Sequence, residues 1–340
     1  MVSTTSSLGE TLPVLGATRH GADGTVGAAL LSSAGVVEAT YFKVDQDAAI
    51  ARGRLDRERV CISCTGGGCG MGCVTFCETG QNAPTGQCTV ADMLGQVLAI
   101  REIVAAERAT AGERDSLPPW GVTFAGMGEP GTNLAAVIPA IETFLSPDWS
   151  SVVDQVSLST IGLVDKMREL TRAMRRRKLP LRLYYSAHGF GNRTDIIPMN
   201  AHHPLREGLV ALHEHARYTV GEFGIKAAVS YLLLHGVNDD IAIVDQLAEE
   251  LDPAYIDVQI LMKNRTEHTP DLRTDDATAD RWAARFAELG FRSWVTRSSG
   301  RDEDTRVGCG QMSAAHGGDH VAVSGRRLLP VSWPAAGAAG

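Results

Sequence analysis

The chain contains seven cysteines, and five of them crowd into CISCTGGGCGMGCVTFC, from Cys61 to Cys77, with Cys88 just beyond and Cys309 far along the sequence. In a reducing compartment, cysteines clustered this tightly indicate metal binding or redox catalysis rather than disulfide scaffolding. Cys69, Cys73 and Cys77 place three thiolates within nine residues, separated by glycines that permit tight turns. Such a set can hold three irons of a 4Fe–4S cluster and leave the fourth open to an exchangeable ligand. A structural zinc site is the alternative. Zinc takes four protein ligands, commonly in C-x2-C pairs; Cys61 and Cys64 make one pair, but Cys73 and Cys77 are too widely spaced for a second. Cys88 reads as a buried thiol, and Cys309, taken alone, could be a small buried hydrophobe.

Other polar motifs recur at the ends of apolar runs: GMGEP (Gly126–Pro130), STIG (Ser159–Gly162), SAHG (Ser186–Gly189), GVND (Gly236–Asp239) and MKN (Met262–Asn264). The runs before them read as strands: Arg59–Cys64, Gly121–Gly126, Gln155–Thr160, Leu181–Ser186, Lys226–Leu234 and Tyr255–Met262, with FRSWVTR as a last one. Between them lie amphipathic helix patterns: about Ala91 to Ala106, with Thr89 and Asp92 suited to a capping box, then Leu134–Phe144, Leu163–Met174, Pro204–Tyr218, Ile241–Leu251 and a segment stopped by Gly290. Six strand–helix units predict an α/β fold with a parallel sheet, a partial (β/α)6 barrel, whose chemistry gathers at the C-terminal strand ends. The expected divisions are an N-terminal extension with short strands over 1–57, the barrel over 58–312 and a disordered tail over 313–340; residues 1–20 read as flexible.

No apolar run approaches the ~20 residues of a membrane span. The N-terminus lacks the basic start and apolar core of a secretory signal, so a cytoplasmic enzyme with no membrane partner is expected. The net charge of −8 argues against a general polyanion binder. One dense basic run, Arg172, Arg175, Arg176, Arg177 and Lys178, reads either as a solvated helix end or as a phosphate-contacting patch.

Taken in order, these motifs resemble the radical S-adenosylmethionine (SAM) methyltransferases of the RlmN/Cfr family, which methylate carbon 2 or 8 of an adenine in large-subunit ribosomal RNA. The resemblance runs from about Val36 to Met312. It is carried by the cysteine loop, FAGMGEPGTNL (Phe124–Leu134), VSLSTIG, YYSAHG, LLHGVND and RVGCGQM (Arg306–Met312). The family spaces its cluster cysteines as CxxxCxxC, whereas here Val74, Thr75 and Phe76 separate the last two. The resemblance implies that Cys69, Cys73 and Cys77 ligate the cluster and that Gly128 and Glu129 meet the methionyl amine of SAM. Ser159, Ser186, His188 and Asn264 match SAM-contacting positions, and Ala187 stands in the same stretch where the family has Leu. Cys309 matches the cysteine that accepts a methyl group from a first SAM; a second SAM supplies the 5′-deoxyadenosyl radical that activates it. Cys61, or alternatively Cys64, matches the cysteine that releases product by forming a disulfide. Glu38, in VEATYF, matches the general base, against the plainer reading of a solvated strand-edge carboxylate. An external donor such as flavodoxin or ferredoxin, and a monomer, are implied as well.

An amidine carbon such as adenine carbon 2 is neither nucleophilic nor readily deprotonated, which is why a radical route is needed. The substrate is the least legible feature. Family members carry an accessory domain before the general base, while fewer than forty residues precede Glu38 here. The expected substrate is an adenine in RNA; the same chemistry on a nucleotide, small molecule or peptide is the alternative. A non-enzymatic metal-binding module is a third reading, against which Cys309 and Cys61 stand.

Overall fold

The computed structural model describes residues 9–21, 24–43, 57–113, 116–266, 268–297, Met312, 322–323 and 326–327. Its main sheet has ten strands lying side by side in near-sequential order. Three antiparallel strands come first: β1 (Val14–His20), β2 (Val26–Ser32) and β3 (Gly35–Phe42). A short pair, β5 (Thr65–Gly66) and β6 (Gly86–Gln87), stands apart from this sheet. β4 (Arg59–Ile62) pairs antiparallel with β3 and parallel with β7 (Trp120–Phe124). The parallel ladder continues through β8 (Val153–Thr160), β9 (Leu181–Ser186), β10 (Ala227–Leu233), β11 (Ile256–Met262) and β12 (Ser293–Thr296). β1 and β12 form the two edges, so the barrel is partial. In the expected tail, β13 (Ala322–Val323) and β14 (Arg326–Arg327) form a small antiparallel pair, and the rest lies outside the described residues.

Helices α1 (Val90–Thr110), α2 (Leu134–Phe144), α3 (Val164–Arg177), α5 (Leu205–Phe223), α6 (Ala242–Glu249) and α7 (Asp276–Glu288) follow the first six parallel strands, with a single turn, α4 (Arg193–Ile196), after β9. Right-handed crossovers that always advance in one direction place their helices on one face of the sheet. Alternate strand residues accordingly divide. Val60, Ile62, Trp120, Val122, Phe124, Val156, Leu158, Leu183, Tyr185, Val229, Tyr231, Val258 and Ile260 join the helices in one core. The residues between them face the concave side and are largely polar, linked across strands by Thr123–Ser157 (2.8 Å), Ser159–Ser186 (3.4 Å), Ser230–Gln259 (2.8 Å) and Gln259–Thr296 (2.8 Å). A fully closed barrel fills this space with branched apolar side chains. Here it is left hydrophilic.

The expected flexibility of residues 1–20 does not hold for β1, whose Val14 and Leu15 pair with Leu30 and Ala29 of β2. The N-terminal strands are joined to the barrel by half-buried polar contacts. Trp120 Nε1 donates to Glu58 (2.9 Å), Arg108 donates to both Glu58 (2.5 Å) and Tyr41 Oη (3.0 Å), and the rings of Tyr41 and Trp120 lie 4.7 Å apart. The basic run ends α3, at the opposite rim of the sheet from the cysteine loop. There Arg177 pairs with Glu142, and Arg175 lies over the Tyr218 ring. No helix among the described residues is long and apolar enough to cross a membrane.

The predicted capping box forms. Thr89 accepts from the Asp92 amide and Asp92 accepts from Thr89 N, while the same carboxylate accepts Ser33 N (2.9 Å) and Ser33 Oγ (2.5 Å), pinning α1 to the β2–β3 turn. Burial alone would raise the Asp92 pKa, but the bonds from Ser33 and Thr89 outweigh it and hold the carboxyl below its usual value. Asp92→Ala should therefore cost about 2 kcal/mol in urea denaturation at neutral pH. Because the folded pKa is depressed, this contribution is complete above the unfolded value of about 3.9 and is lost as pH falls through the folded one. The stability gap between wild type and variant should close in acid; a gap that persists there would show that Asp92 acts by packing alone.

Candidate functional site

The cysteine loop is an excursion between β5 and β6, whose ladder clamps its base: Thr85 N donates to Gly66 O (2.9 Å) and Cys88 N to Cys64 O (3.1 Å). Inside it, the Cys69 amide is shared between Thr79 O (3.1 Å) and Asn82 O (3.0 Å). A Cβ on Gly68 would lie 2.2 Å from Asn82 O, so only glycine fits that crossing. The additional residue between Cys73 and Cys77 is absorbed as one helical turn, with Cys77 N donating to Cys73 O (3.0 Å), and Gln81 Nε2 closes the turn from outside on Val74 O (2.7 Å). Burial pushes the Cys69 and Cys73 thiols up to about 12, Cys77 adding to both shifts and Cys69 to that of Cys73, and raises Cys77 as well. Three mutually interacting thiols in a buried loop suit a multi-iron group, whose irons supply the positive charge that thiolates need. Among the described residues no three His, Cys, Asp or Glu side chains converge on a single ion position as zinc ligands do. Thiolates that each hold a different iron have no need to converge.

GMGEP docks on the start of this loop. Cys64 N (2.9 Å) and Thr65 N (3.2 Å) both donate to Met127 O. Gly128 has φ +96°, and a Cβ there would meet Thr65 Oγ1 at 2.3 Å and Cys64 Sγ at 2.9 Å. The Glu129 carboxylate is buried and accepts three bonds, from Thr160 Oγ1 (2.6 Å), Ile161 N (2.8 Å) and Gly131 N (3.0 Å). A carboxylate offers about four acceptor sites; with three occupied, Glu129 ties the β7 rim to the β8 rim and has one site left for an external donor. Its pKa is raised by burial, which the three bonds only partly oppose.

At the next rim Ser159 and Ser186 share a contact on the concave face, and His188 follows with φ +51°. Burial and the Arg193 charge lower the His188 pKa to about 3, with a bond from the ring to the Ser230 carbonyl opposing. Its Nδ1 accepts Leu232 N (3.1 Å) and its ring meets Phe76 of the cysteine loop edge-on at 5.2 Å. His188 is thus a neutral spacer between that loop and the β10 rim. Asn264 is half-buried in the loop after β11. Ala187 does not join them: its side chain is in the helix-facing core, its N donates to Ser230 O (3.0 Å) and its O accepts from Arg193 Nε (2.7 Å).

Several residues that hold these loops carry no sequence signal beyond lying in or near a motif. Asn133 Nδ2 donates to Cys64 O (3.0 Å) and Cys88 O (2.8 Å). Asn238 Nδ2 donates to His188 O (2.9 Å) and Leu232 O (2.8 Å). Buried Gln96 brackets Ser63, accepting from Ser63 N (2.8 Å) and donating to Ser63 O (3.0 Å), while Ser63 Oγ donates to Glu38 O (2.7 Å). Buried Glu78, next to Cys77, is bonded to His268 from the loop after β11.

Cys61 and Cys64 separate clearly. Cys61 faces Thr40 across β3–β4, and Glu38, two residues earlier on β3, shares that face. Burial pushes the Cys61 thiol up to about 12; Ala125 opposes this and the Glu38 carboxylate adds to it. Cys64 instead sits in the helix-facing core, where burial, then Glu129, Cys88 and Cys69, raise its pKa. Glu38 is buried at 3% exposure, so it is not a solvated edge carboxylate. It accepts Met312 N (2.9 Å), and Met312 packs on Leu15 and Ala29 of the same concave face. Cys309 lies outside the described residues, and the six described cysteines are all free, so no disulfide is present among them.

Glu129→Gln places an amide N–H against a chain donor, most simply Ile161 N. It should lower stability by about 1–3 kcal/mol in a denaturant titration although it is isosteric. A variant as stable as wild type would mean that the carboxylate is not the tie between the two rims.

No family model matches the chain. It is 32% identical over 268 residues to a probable dual-specificity RNA methyltransferase RlmN of Frankia alni and, to the same extent, to its counterpart in Frankia casuarinae; each match covers 77% of this chain and 60% of the relative. The chain thus spans about three-fifths of the length of these relatives. A crystal structure of a radical SAM methyltransferase from Sphaerobacter thermophilus superposes with a TM-score of 0.71 at 27% identity, covering 88% of this chain and 81% of that one. With the open parallel barrel and the cysteine loop at its rim, these likenesses show that the chain belongs to the RlmN/Cfr-like family of radical SAM methyltransferases.

Proposed function

We propose that this chain methylates an sp2 carbon, by way of a methylated cysteine, on an adenine base in RNA. The observation that carries the reading is the meeting of Glu38, Cys61 and Met312 on one concave face beside the cysteine loop. Cys309 is three residues from Met312, and three residues span at most about 11 Å. A chain anchored at Glu38 can therefore bring the Cys309 sulfur to the thiol of Cys61.

Cys69, Cys73 and Cys77 would hold a 4Fe–4S cluster, which supplies the electron that cleaves SAM and yields a carbon radical. The remaining work falls to the chain's own groups. Cys309 takes a methyl group from one SAM as the sulfonium carbon–sulfur bond breaks. The S-methyl group on Cys309 would lose a hydrogen atom to the radical chemistry that the cluster and a second SAM would supply, its carbon would bond to the substrate carbon, and the unpaired electron of the adduct would pass back to the cluster. Glu38, buried and held by Met312 N, takes the proton from the substrate carbon. Cys61 then forms a disulfide with Cys309 as the sulfur–carbon bond of the adduct breaks, and the thiol proton, retained until then by burial, ends on the departing carbon as the product's methyl group forms. Gly128, the remaining acceptor site on Glu129, Ser159, Ser186, His188 and Asn264 line the rim where SAM would bind. An external one-electron donor of the flavodoxin or ferredoxin class completes the cycle.

A second reading keeps this chemistry but changes the substrate to a nucleotide, small molecule or peptide. It is favoured by the net charge of −8 and by the position of the basic run, at the rim opposite the cysteine loop.

Anaerobic reconstitution should incorporate about four irons per chain; zinc without iron would sink the proposal. Cys61→Ala should purify with a covalent adduct on Cys309, whereas Cys64→Ala should not. Mass spectrometry of the trapped species decides the substrate: an RNA fragment supports the first reading, and a free nucleotide, metabolite or peptide the second.

A further inference from the structure

Arg193 is a buried cation with no part in the chemistry above. It opens α4 and is 2% exposed. Its guanidinium donates from Nε to Ala187 O (2.7 Å), from Nη1 to Asn200 Oδ1 (2.9 Å), and from Nη2 to Ile161 O (2.5 Å) and Ser186 O (3.1 Å). The ring of Tyr185 lies 5.3 Å from it. All four acceptors are neutral, and no carboxylate among the described residues forms an ion pair with it. Hydrogen bonds to carbonyls satisfy the donors but leave the charge uncompensated, and an unpaired charge in a protein interior is costly enough that a counter-charge is expected close by.

The cysteine loop is where that counter-charge can come from. Ile196 and Ile197, three and four residues beyond Arg193, pack with Cys73, Met71, Phe76 and Cys77 in a small core of their own. Ile161, whose carbonyl accepts from Arg193 Nη2, packs against the same small core, so the arginine is anchored to it from two sides.

We propose that Arg193 is the buried counter-charge of the cluster held by Cys69, Cys73 and Cys77, and that it raises the cluster's reduction potential. The inference rests on the reading that this loop holds a cluster. Three thiolates outweigh the positive charge of an oxidised 4Fe–4S core, and one-electron reduction adds a further negative charge. A fixed cation at low dielectric therefore favours the reduced form more than the oxidised one. The same guanidinium grips the carbonyls that follow β8 and close β9, so the charge is held in place by the rim that would bind SAM.

The test uses anaerobically reconstituted full-length wild type, Arg193→Gln and Arg193→Lys, with the cluster midpoint potential read by EPR-monitored redox titration in the absence of SAM. Arg193→Gln should shift the potential to more negative values, and Arg193→Lys, which keeps the charge but not the fork, should stay nearer wild type. An unchanged potential in Arg193→Gln overturns the proposal, as does a shift in Arg193→Lys as large as that in Arg193→Gln. A second measurement does not depend on either variant folding. Wild type labelled with 15N-arginine should show a guanidinium nitrogen coupled to the reduced cluster in pulsed EPR, and its absence overturns the assignment. Wild type that takes up no iron would refute the cluster itself, an outcome distinct from a cluster whose potential ignores Arg193.

Discussion

Backbone groups that leave a parallel ladder at its C-terminal edge lose their partners, and in a buried rim each one left unpaired costs roughly 1–3 kcal/mol. The architecture of the site follows from this constraint. The turns after β4, β8, β9 and β10 are each closed by a buried polar side chain: Asn133 for Cys64 and Cys88, Glu129 for Ile161, Arg193 for Ile161, Ser186 and Ala187, and Asn238 for His188 and Leu232. Each such side chain bridges two or more rims, so the loops are not independent. The rim behaves as one rigid frame.

That frame explains why much of the site's polar inventory is already committed. Glu129 directs three acceptor sites to the chain itself, and His188 commits Nδ1 to Leu232. What remains for ligands is specific: one acceptor site on Glu129, the paired hydroxyls of Ser159 and Ser186, and buried thiols whose elevated pKa values make them poor thiolates until positive charge arrives. Preorganisation here comes from removing alternatives.

The N-terminal strands extend the same logic sideways. Their concave face receives Met312 on Leu15 and Ala29, and Glu38 receives its amide, so segments far apart in the sequence meet where Cys61 looks out from β4. Ser63 and Gln96 hold the segment from Cys61 to Cys64 from behind, which sets Cys61 on the concave side and leaves Cys64 in the helix-facing core.

Much of this was legible in the residues alone. The strand–helix alternation, the capping box at Thr89 and Asp92, the cysteine loop and the placement of motifs at strand ends are local patterns, set by periodicities of two and of 3.6 residues and by turn chemistry within a few positions. Which of Cys61 and Cys64 faces the site, whether Glu38 is buried, and that Ala187 turns away are consequences of register and of contacts between segments far apart in the chain. So is the accommodation of the additional residue before Cys77 as a helical turn closed by Gln81. Arg193 shows the limit most plainly: nothing in its neighbourhood marks it, because its charge acquires meaning only once folding removes it from water. The sequence by itself determined the fold class, which is written in local periodicity, and through its ordered motifs it pointed to the family whose chemistry is proposed for the chain; only the tertiary structure decided which polar groups remain free, since that depends on what each one meets across the rim.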